Sequence, residues 1–261
     1  MMKILITGAG GGMGLAACKR LSQAGHEVYG LDIRAPQSAD GWQFRQTDLT
    51  SEQEVAAAAE AFSGLRFDAV IHHAGIYDLN SLVEMPPEDV QKIFDVNLFA
   101  AMRVNRLFLP LFAEHATVVL TSSELAPLDP LPFTGIYGIT KTAVEKYAFS
   151  LRMELQLLGH WVCVLRPGAV KTPLLDVSTE KLDRFCAQTS HYRCNAVRFR
   201  KIVDSVEAKG VSPEKIAELD EKLITAKHPP YIRSCNRNFG LRLLNALPAR
   251  LQTAIIRRLL R

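Results

Sequence analysis

The sequence has no long apolar run, no cysteine pattern, no repeats, and no carboxylates near its end. None of its apolar stretches approaches the roughly 20 residues needed to span a bilayer. Lys3-Ile-Leu-Ile-Thr7 is too short for the apolar region of a leader and runs straight into glycines, so nothing cleaved or anchored is expected there. Cys18, Cys163, Cys186, Cys194 and Cys235 form an odd set without CxxC spacing. That speaks for reduced thiols in the cytoplasm and against a metal site. With no low-complexity linker, residues 1–261 are expected to form one domain, since α/β units often reach about 250 residues.

The missing anions matter most. Overall, 31 Lys+Arg against 27 Asp+Glu give +4, but residues 222–261 hold nine cations and no carboxylate. The first 221 residues therefore carry 22 cations against 27 anions, net −5. A body of that sign lacks the basic face that nucleic acid requires, so no nucleic-acid partner is expected.

What is present is alternation. Strand-like apolar runs fall at residues 3–7, 27–32, 43–47, 68–73, 117–122 and 161–166, with a last short one at 230–235. Helix-like stretches fall at 15–24, 52–62, 88–113, 137–158 and 213–225. The strand runs are continuous rather than alternating, as in a parallel sheet covered on both faces, which predicts an α/β doubly wound fold. Periodicity weakens after Pro173, and residues 173–212 are expected to form a lid over a substrate.

Thr7-Gly-Ala-Gly-Gly-Gly-Met-Gly14 joins the first strand to the first helix. Gly8, Gly12 and Gly14 allow a tight turn that a pyrophosphate can approach, at the positive end of the helix. Asp32 ends the second strand, 18 residues after Gly14, where a carboxylate accepts both ribose hydroxyls and repels a 2′-phosphate. Arg34 is a competing signal, yet the glycine turn carries no cation, so NAD is expected over NADP. Asp48 and Leu49 are expected beside the adenine, and His72-His-Ala-Gly75 closes the fourth strand. Those two histidines point to opposite faces and are poorly placed to share a metal ion.

Tyr137-Gly-Ile-Thr-Lys141 places a phenol and an ammonium on one helical face. The ammonium, together with a cationic nicotinamide, is expected to lower the phenol's pKa from about 10 toward the working range. Thr121-Ser-Ser123 ends the preceding strand with hydroxyls for a substrate oxygen, and the Asn97 amide is expected to orient a water behind Lys141. After Pro167-Gly168, Thr172 is placed to meet a carboxamide.

In combination these motifs, over about residues 3–172, resemble the short-chain dehydrogenase/reductase family with its Rossmann fold. The resemblance implies Tyr137 as acid/base, Lys141 as the group that lowers its pKa and binds the nicotinamide ribose, and Asn97 in a proton relay. Ser123 is the better substrate-oxygen donor, with Ser122 the alternative. The implied cofactor contacts are Gly8, Gly12, Met13, Gly14, Asp32, Asp48, Leu49, Ala74, Gly75, Tyr137, Lys141, Pro167, Gly168, Val170 and Thr172. Three features depart from the family: His72-His73 stands where two asparagines are usual, the segment from serine to Tyr137 (with Pro127, Pro130 and Pro132) is one residue longer, and more chain follows Thr172.

Thr225-Ala-Lys-His-Pro-Pro-Tyr231, the stretch 241–260 and Leu131-Pro-Phe133 resemble the retinol and 17β-hydroxysteroid dehydrogenase branch, which implies a lipophilic alcohol or ketone. Residues 236–261 form a basic extension. On a helical wheel, 248–261 carries Leu251, Ala254, Ile255, Ile256 and Leu259 on one arc and Arg250, Arg257, Arg258 and Arg261 on the other. Such a helix suits peripheral membrane contact, or docking on this chain or a second subunit. Pairing of the long helices 88–113 and 137–158 predicts a homodimer or homotetramer. Two other functions stay open at this point: a non-catalytic dinucleotide sensor and a nucleotide-sugar epimerase or dehydratase.

Overall fold

The computed structural model describes residues 1–129 and 131–261. Pro130 of the serine-to-tyrosine segment lies outside the described residues, as do the side chains of 173–178 in the expected lid.

The chain runs β1 (Lys3–Thr7), α1 (Gly12–Gln23), β2 (Glu27–Asp32), β3 (Gln43–Gln46), α2 (Glu52–Ala61), β4 (Phe67–His72), α3 (Pro87–Phe94), α4 (Ala100–Phe108), β5 (Phe112–Thr121) and α5 (Gly135–Leu155). It continues with β6 (Trp161–Pro167), α6 (Pro173–Gln188), α7 (Arg193–Glu207), α8 (Pro213–Thr225), β7 (Ile232–Cys235), α9 (Phe239–Asn245) and α10 (Ala249–Leu260). The strands form one seven-stranded sheet in the order β3-β2-β1-β4-β5-β6-β7, with every pairing parallel. Strand order reverses between β1 and β4, which opens a crevice at the carboxyl edge where this architecture places ligands.

Both sheet faces are buried, which explains the continuous apolar runs. Leu5, Leu31, Val70, Val118 and Val164 pack on one side with Val55, Val104 and Val144 of α2, α4 and α5. Their strand neighbours Ile4, Ile6, Ile71, Val119 and Leu165 pack on the other with Ala17 and Leu21 of α1 and Ile216 and Leu223 of α8. A third core, distinct from the sheet, joins Phe133 to Phe185 and Phe199 of α6 and α7 and to Leu260 of α10.

Two elements differ from the sequence expectation. The single helix expected at 88–113 is α3 and α4 joined by a π-helical turn, Asp95–Phe99, and it stops earlier. Pro110, lacking an N–H, sits in the short 3-10 turn that ends it, and Phe112 pairs with Phe67 at the start of β5. Residues 174–209, where periodicity looked weak, hold the two helices α6 and α7. Leu182 and Phe185 of α6 and Ala196, Phe199 and Val203 of α7 pack into a local aromatic core rather than on the sheet.

Candidate active site

The glycine turn is held by backbone crowding. Gly8 has φ +75°, and a Cβ there would come within 2.6 Å of the Ala74 nitrogen; one on Gly14 would come within 2.1 Å of the Gly8 carbonyl oxygen. The turn is thereby seated against the end of β4, and α1 begins beside it with no side-chain cap and no acid in its first turn. Its N–H groups and positive end are left for an anion. Asp32 is bound into the same turn, with Oδ2 accepting the Gly10 N–H (2.9 Å) and Oδ1 accepting the Arg34 N–H (2.9 Å).

A cleft of about 600 Å³ runs along this edge. Gly8, Gly12, Met13, Asp32, Asp48, Leu49, Ala74, Gly75 and Thr172 line it, and so does Arg34. It adjoins a smaller cavity of about 170 Å³, lined by Ser123, Tyr137, Lys141, Pro167, Gly168 and Val170, with Met13, Gly75 and Thr172 shared between the two. Gly14 and Asn97 line neither. Gly14 acts on Gly8, and Asn97 lies buried behind the wall.

Around Tyr137 the hydroxyls are sorted by direction. Ser123 lines the smaller cavity together with Tyr137, and its hydroxyl pulls the phenol's pKa down against the effect of burial. Ser122 turns the other way and donates to Glu145 Oε1 (2.8 Å), which in turn is gripped by Arg166. The structure therefore separates the two serines, with Ser122 committed to Glu145 and Ser123 the one that acts on the phenol. Lys141 Nζ lies 5.7 Å from the Tyr137 ring centroid and donates to the Thr121 carbonyl (3.0 Å). Asn97, in the π-helical turn, accepts the Ile76 N–H (2.7 Å) and donates to the Thr140 hydroxyl (3.1 Å), and a Cβ on Gly75 would lie 3.2 Å from its Oδ1 and 3.5 Å from Lys141 Nζ. Asn97 and Lys141 thus both come up to the same side of Gly75.

Burial pushes Tyr137 up to about 12, while Ser123 pulls the other way. Burial also brings Lys141 down to about 8. Desolvation disfavours both charged forms, the phenolate and the ammonium.

Three partners were missed from sequence. Tyr77 packs edge-on against Tyr137 at 4.5 Å between centroids. Glu124, next to Ser123, accepts the Asn238 N–H (2.5 Å) and so ties the basic extension to the cavity. Asp220 of α8 lies 2.8 Å from His73 Nε2, and His73 Nδ1 lies 2.9 Å from the Thr121 hydroxyl. The carboxylate accepts Nε2–H, which leaves Nδ1 to accept the hydroxyl proton. His72 points to the other face, 2.9 Å from Asn105 Oδ1, and burial pulls its pKa down to about 4. No local pattern announces a partner 147 residues away, but the two adjacent histidines at a strand end marked the place.

A doubly wound parallel sheet, a glycine turn at its switch point and a Ser–Tyr–Lys group at the same edge define a dinucleotide-fold oxidoreductase. The short chain dehydrogenase family model matches residues 2–183, and the chain belongs to the short-chain dehydrogenase/reductase family. Among its relatives, a 3-ketodihydrosphingosine reductase of Bacteroides thetaiotaomicron is 27% identical over 231 residues, covering 87% of this chain and 85% of that protein. Retinol dehydrogenase 8 of Bos taurus is 25% identical, covering 90% of this chain and 82% of that one. A Burkholderia phymatum short chain dehydrogenase/reductase, solved in complex with NAD, has the same fold, with TM-score 0.74, 22% identity and 88% of each chain covered.

Among the described residues, no helix is long and apolar enough to cross a membrane.

Proposed function

We propose that this oxidoreductase uses NAD to interconvert a lipophilic secondary alcohol and its ketone, with Tyr137 as general acid/base. The observation that carries the reading is Ser123, Tyr137 and Lys141 together on the wall of one cavity, with Lys141 Nζ 5.7 Å from the Tyr137 ring centroid and the cavity adjoining the glycine-lined cleft. The residues present fit a dinucleotide. The uncapped start of α1 suits the pyrophosphate, Asp32 the adenosine ribose, Asp48 and Leu49 the adenine, Lys141 the nicotinamide ribose, and Thr172 the carboxamide. When bound, the nicotinamide supplies the hydride acceptor or donor. NAD is preferred because Asp32 presents its charge where a 2′-phosphate would lie, although Arg34 lines the same cleft.

Ser123 holds the substrate oxygen, and Tyr137 takes its proton in oxidation or returns it in reduction. Lys141 lends positive charge as the phenol ionises, and Asn97 keeps the wall behind it in place. A lipophilic substrate suits the smaller cavity, whose wall includes Tyr77, Phe199, Ile202, Val203, Val206 and Leu241. The names of the sphingosine-type and retinol relatives agree with that class. The test is NADH formation across steroid, retinoid and aliphatic alcohols. Turnover confined to long or polycyclic substrates is expected; turnover only with small polar alcohols or sugars would overturn the substrate class.

Self-association through α4 and α5 belongs to the same proposal. Met102, Phe149 and Met153 are exposed on these helices, and light scattering should give a mass of two or four chains.

A further inference from the structure

The tail helix was expected either to dock on the protein or to lie on a membrane, and the structure divides its apolar arc between two directions. Leu260 is buried and Ile256 packs beside it against the aromatic core of α6 and α7, where Asn195 Nδ2 donates to the Leu260 carbonyl (2.6 Å). Leu251, Ile255 and Leu259, spaced four apart, remain exposed at 52%, 37% and 55%. They form a single row along α10 that its own core does not use. Arg250, Arg257 and Arg258 fall on the adjoining arc, and among the described residues none of them pairs with a carboxylate.

This row is held in a fixed place. Gln252 Nε2 donates to the Leu247 carbonyl (2.8 Å) and to Asp129 (3.2 Å), and Asn245 Nδ2 donates to the same carboxylate (2.9 Å). The α9–α10 turn is thereby locked to the loop that precedes α5. On its inner side, α10 packs against α7, the helix whose Phe199, Ile202, Val203 and Val206 line the smaller cavity. α9 contributes Leu241 to that cavity. The exposed row thus lies one helix away from the substrate wall.

We propose that α10 seats the protein on an anionic lipid surface, with Leu251, Ile255 and Leu259 entering the interface and Arg250, Arg257 and Arg258 meeting the headgroups. Charge decides between lipid and a second copy. Residues 222–261 carry nine cations and no carboxylate, and a two-fold pairing through α10 would set the same arginines of two copies against each other. An anionic membrane offers opposite charge and an apolar layer together. The proposal stands apart from the catalytic reading, because lipid binding needs no turnover.

The experiment is co-sedimentation of the full chain with phosphatidylcholine vesicles, with and without phosphatidylserine. Binding is expected with phosphatidylserine and should fall as salt rises. The Arg250→Gln/Arg257→Gln/Arg258→Gln variant should bind the anionic vesicles roughly a hundredfold more weakly, at about fivefold per arginine. The Leu251→Ser/Ile255→Ser/Leu259→Ser variant should lose at least about tenfold on the same vesicles. Since all six side chains are exposed, an unchanged thermal midpoint confirms that each variant is folded. Equal sedimentation of parent and variants overturns the proposal. So does a drop in light-scattering mass in the serine variant, which would assign the row to a second copy.

Discussion

The sheet-built body and the helical ending of this molecule are stabilised in different ways. In the body each strand buries both faces, and buried polar groups are matched over long distances, as His73 is with Asp220 and Thr121. In the ending, α6, α7 and α10 share one aromatic core, and α10 leaves a full apolar row outside it. Residues 1–221, α6 and α7 among them, carry net −5, whereas residues 222–261, which hold α9 and α10, carry nine cations and no carboxylate. The contrast places an exposed apolar row and unpaired arginines on one short element, α10.

The sharpest way to break that contrast is at the buried pair. Replacing His73 with Leu leaves the Asp220 carboxylate, already without a partner on Oδ1, unpaired in the core. Urea denaturation should show a loss of about 3–5 kcal/mol, partly recovered when Asp220→Leu is added. A body tolerant of His73→Leu would erase the distinction.

Next comes pH. Burial holds Lys141 at about 8 against an ordinary 10.5, so between those values the unfolded chain keeps a proton that the folded chain has lost. Stability from this site is therefore lowest below about pH 8 and rises with pH up to about 10.5. Tyr137, pushed up to about 12, reverses the slope above about pH 10. Buried Cys18 and Cys163, whose thiols are pushed up, lower stability over the same range. The Lys141 contribution is therefore read as the parent's gain from about pH 7 to about pH 10 relative to Lys141→Met, in which that gain should be absent. A rise that persists in the variant would place its origin elsewhere.

Smaller still is the cofactor preference. Asp32→Ala should weaken NAD by roughly tenfold, about 1.4 kcal/mol, and NADP by less, as read by fluorescence titration. Equal losses would show that Asp32 serves only to hold Gly10 and Arg34. At the far end of the scale, Ile255→Ser in the exposed row should change stability by no more than about 0.5 kcal/mol. A larger loss would mean that the row is part of the core after all.

The body was largely legible in the sequence because its signals are local. A glycine turn after a β-rich run, Asp32 at a strand end and a Tyr–Lys pair one helical turn apart all need only neighbouring residues to be read. The serines were harder. Their spacing from Tyr137 favoured Ser123, but only the path of Ser122 toward Glu145 and Arg166 separates the two. Asn97 was found by type and position, yet its π-helical turn, Asp95–Phe99, was hidden within an unbroken helical pattern. The helices α6 and α7 were not read from the sequence, and their packing on Phe133 rather than on the sheet shows only in the folded chain. Asp220 carried no signal at all, since its meaning arises only when α8 folds back over β4.

In the proposed reaction Tyr137 moves the proton, and a bound nicotinamide would supply the hydride acceptor or donor. The role of Tyr137 is tested most directly by stopped-flow NADH formation with a turned-over lipophilic alcohol, comparing the parent with Tyr137→Phe at matched NAD saturation. The account predicts a rate lower by about 10²–10⁴-fold with NAD affinity unchanged. A Tyr137→Phe protein that makes NADH at the parental rate would contradict it.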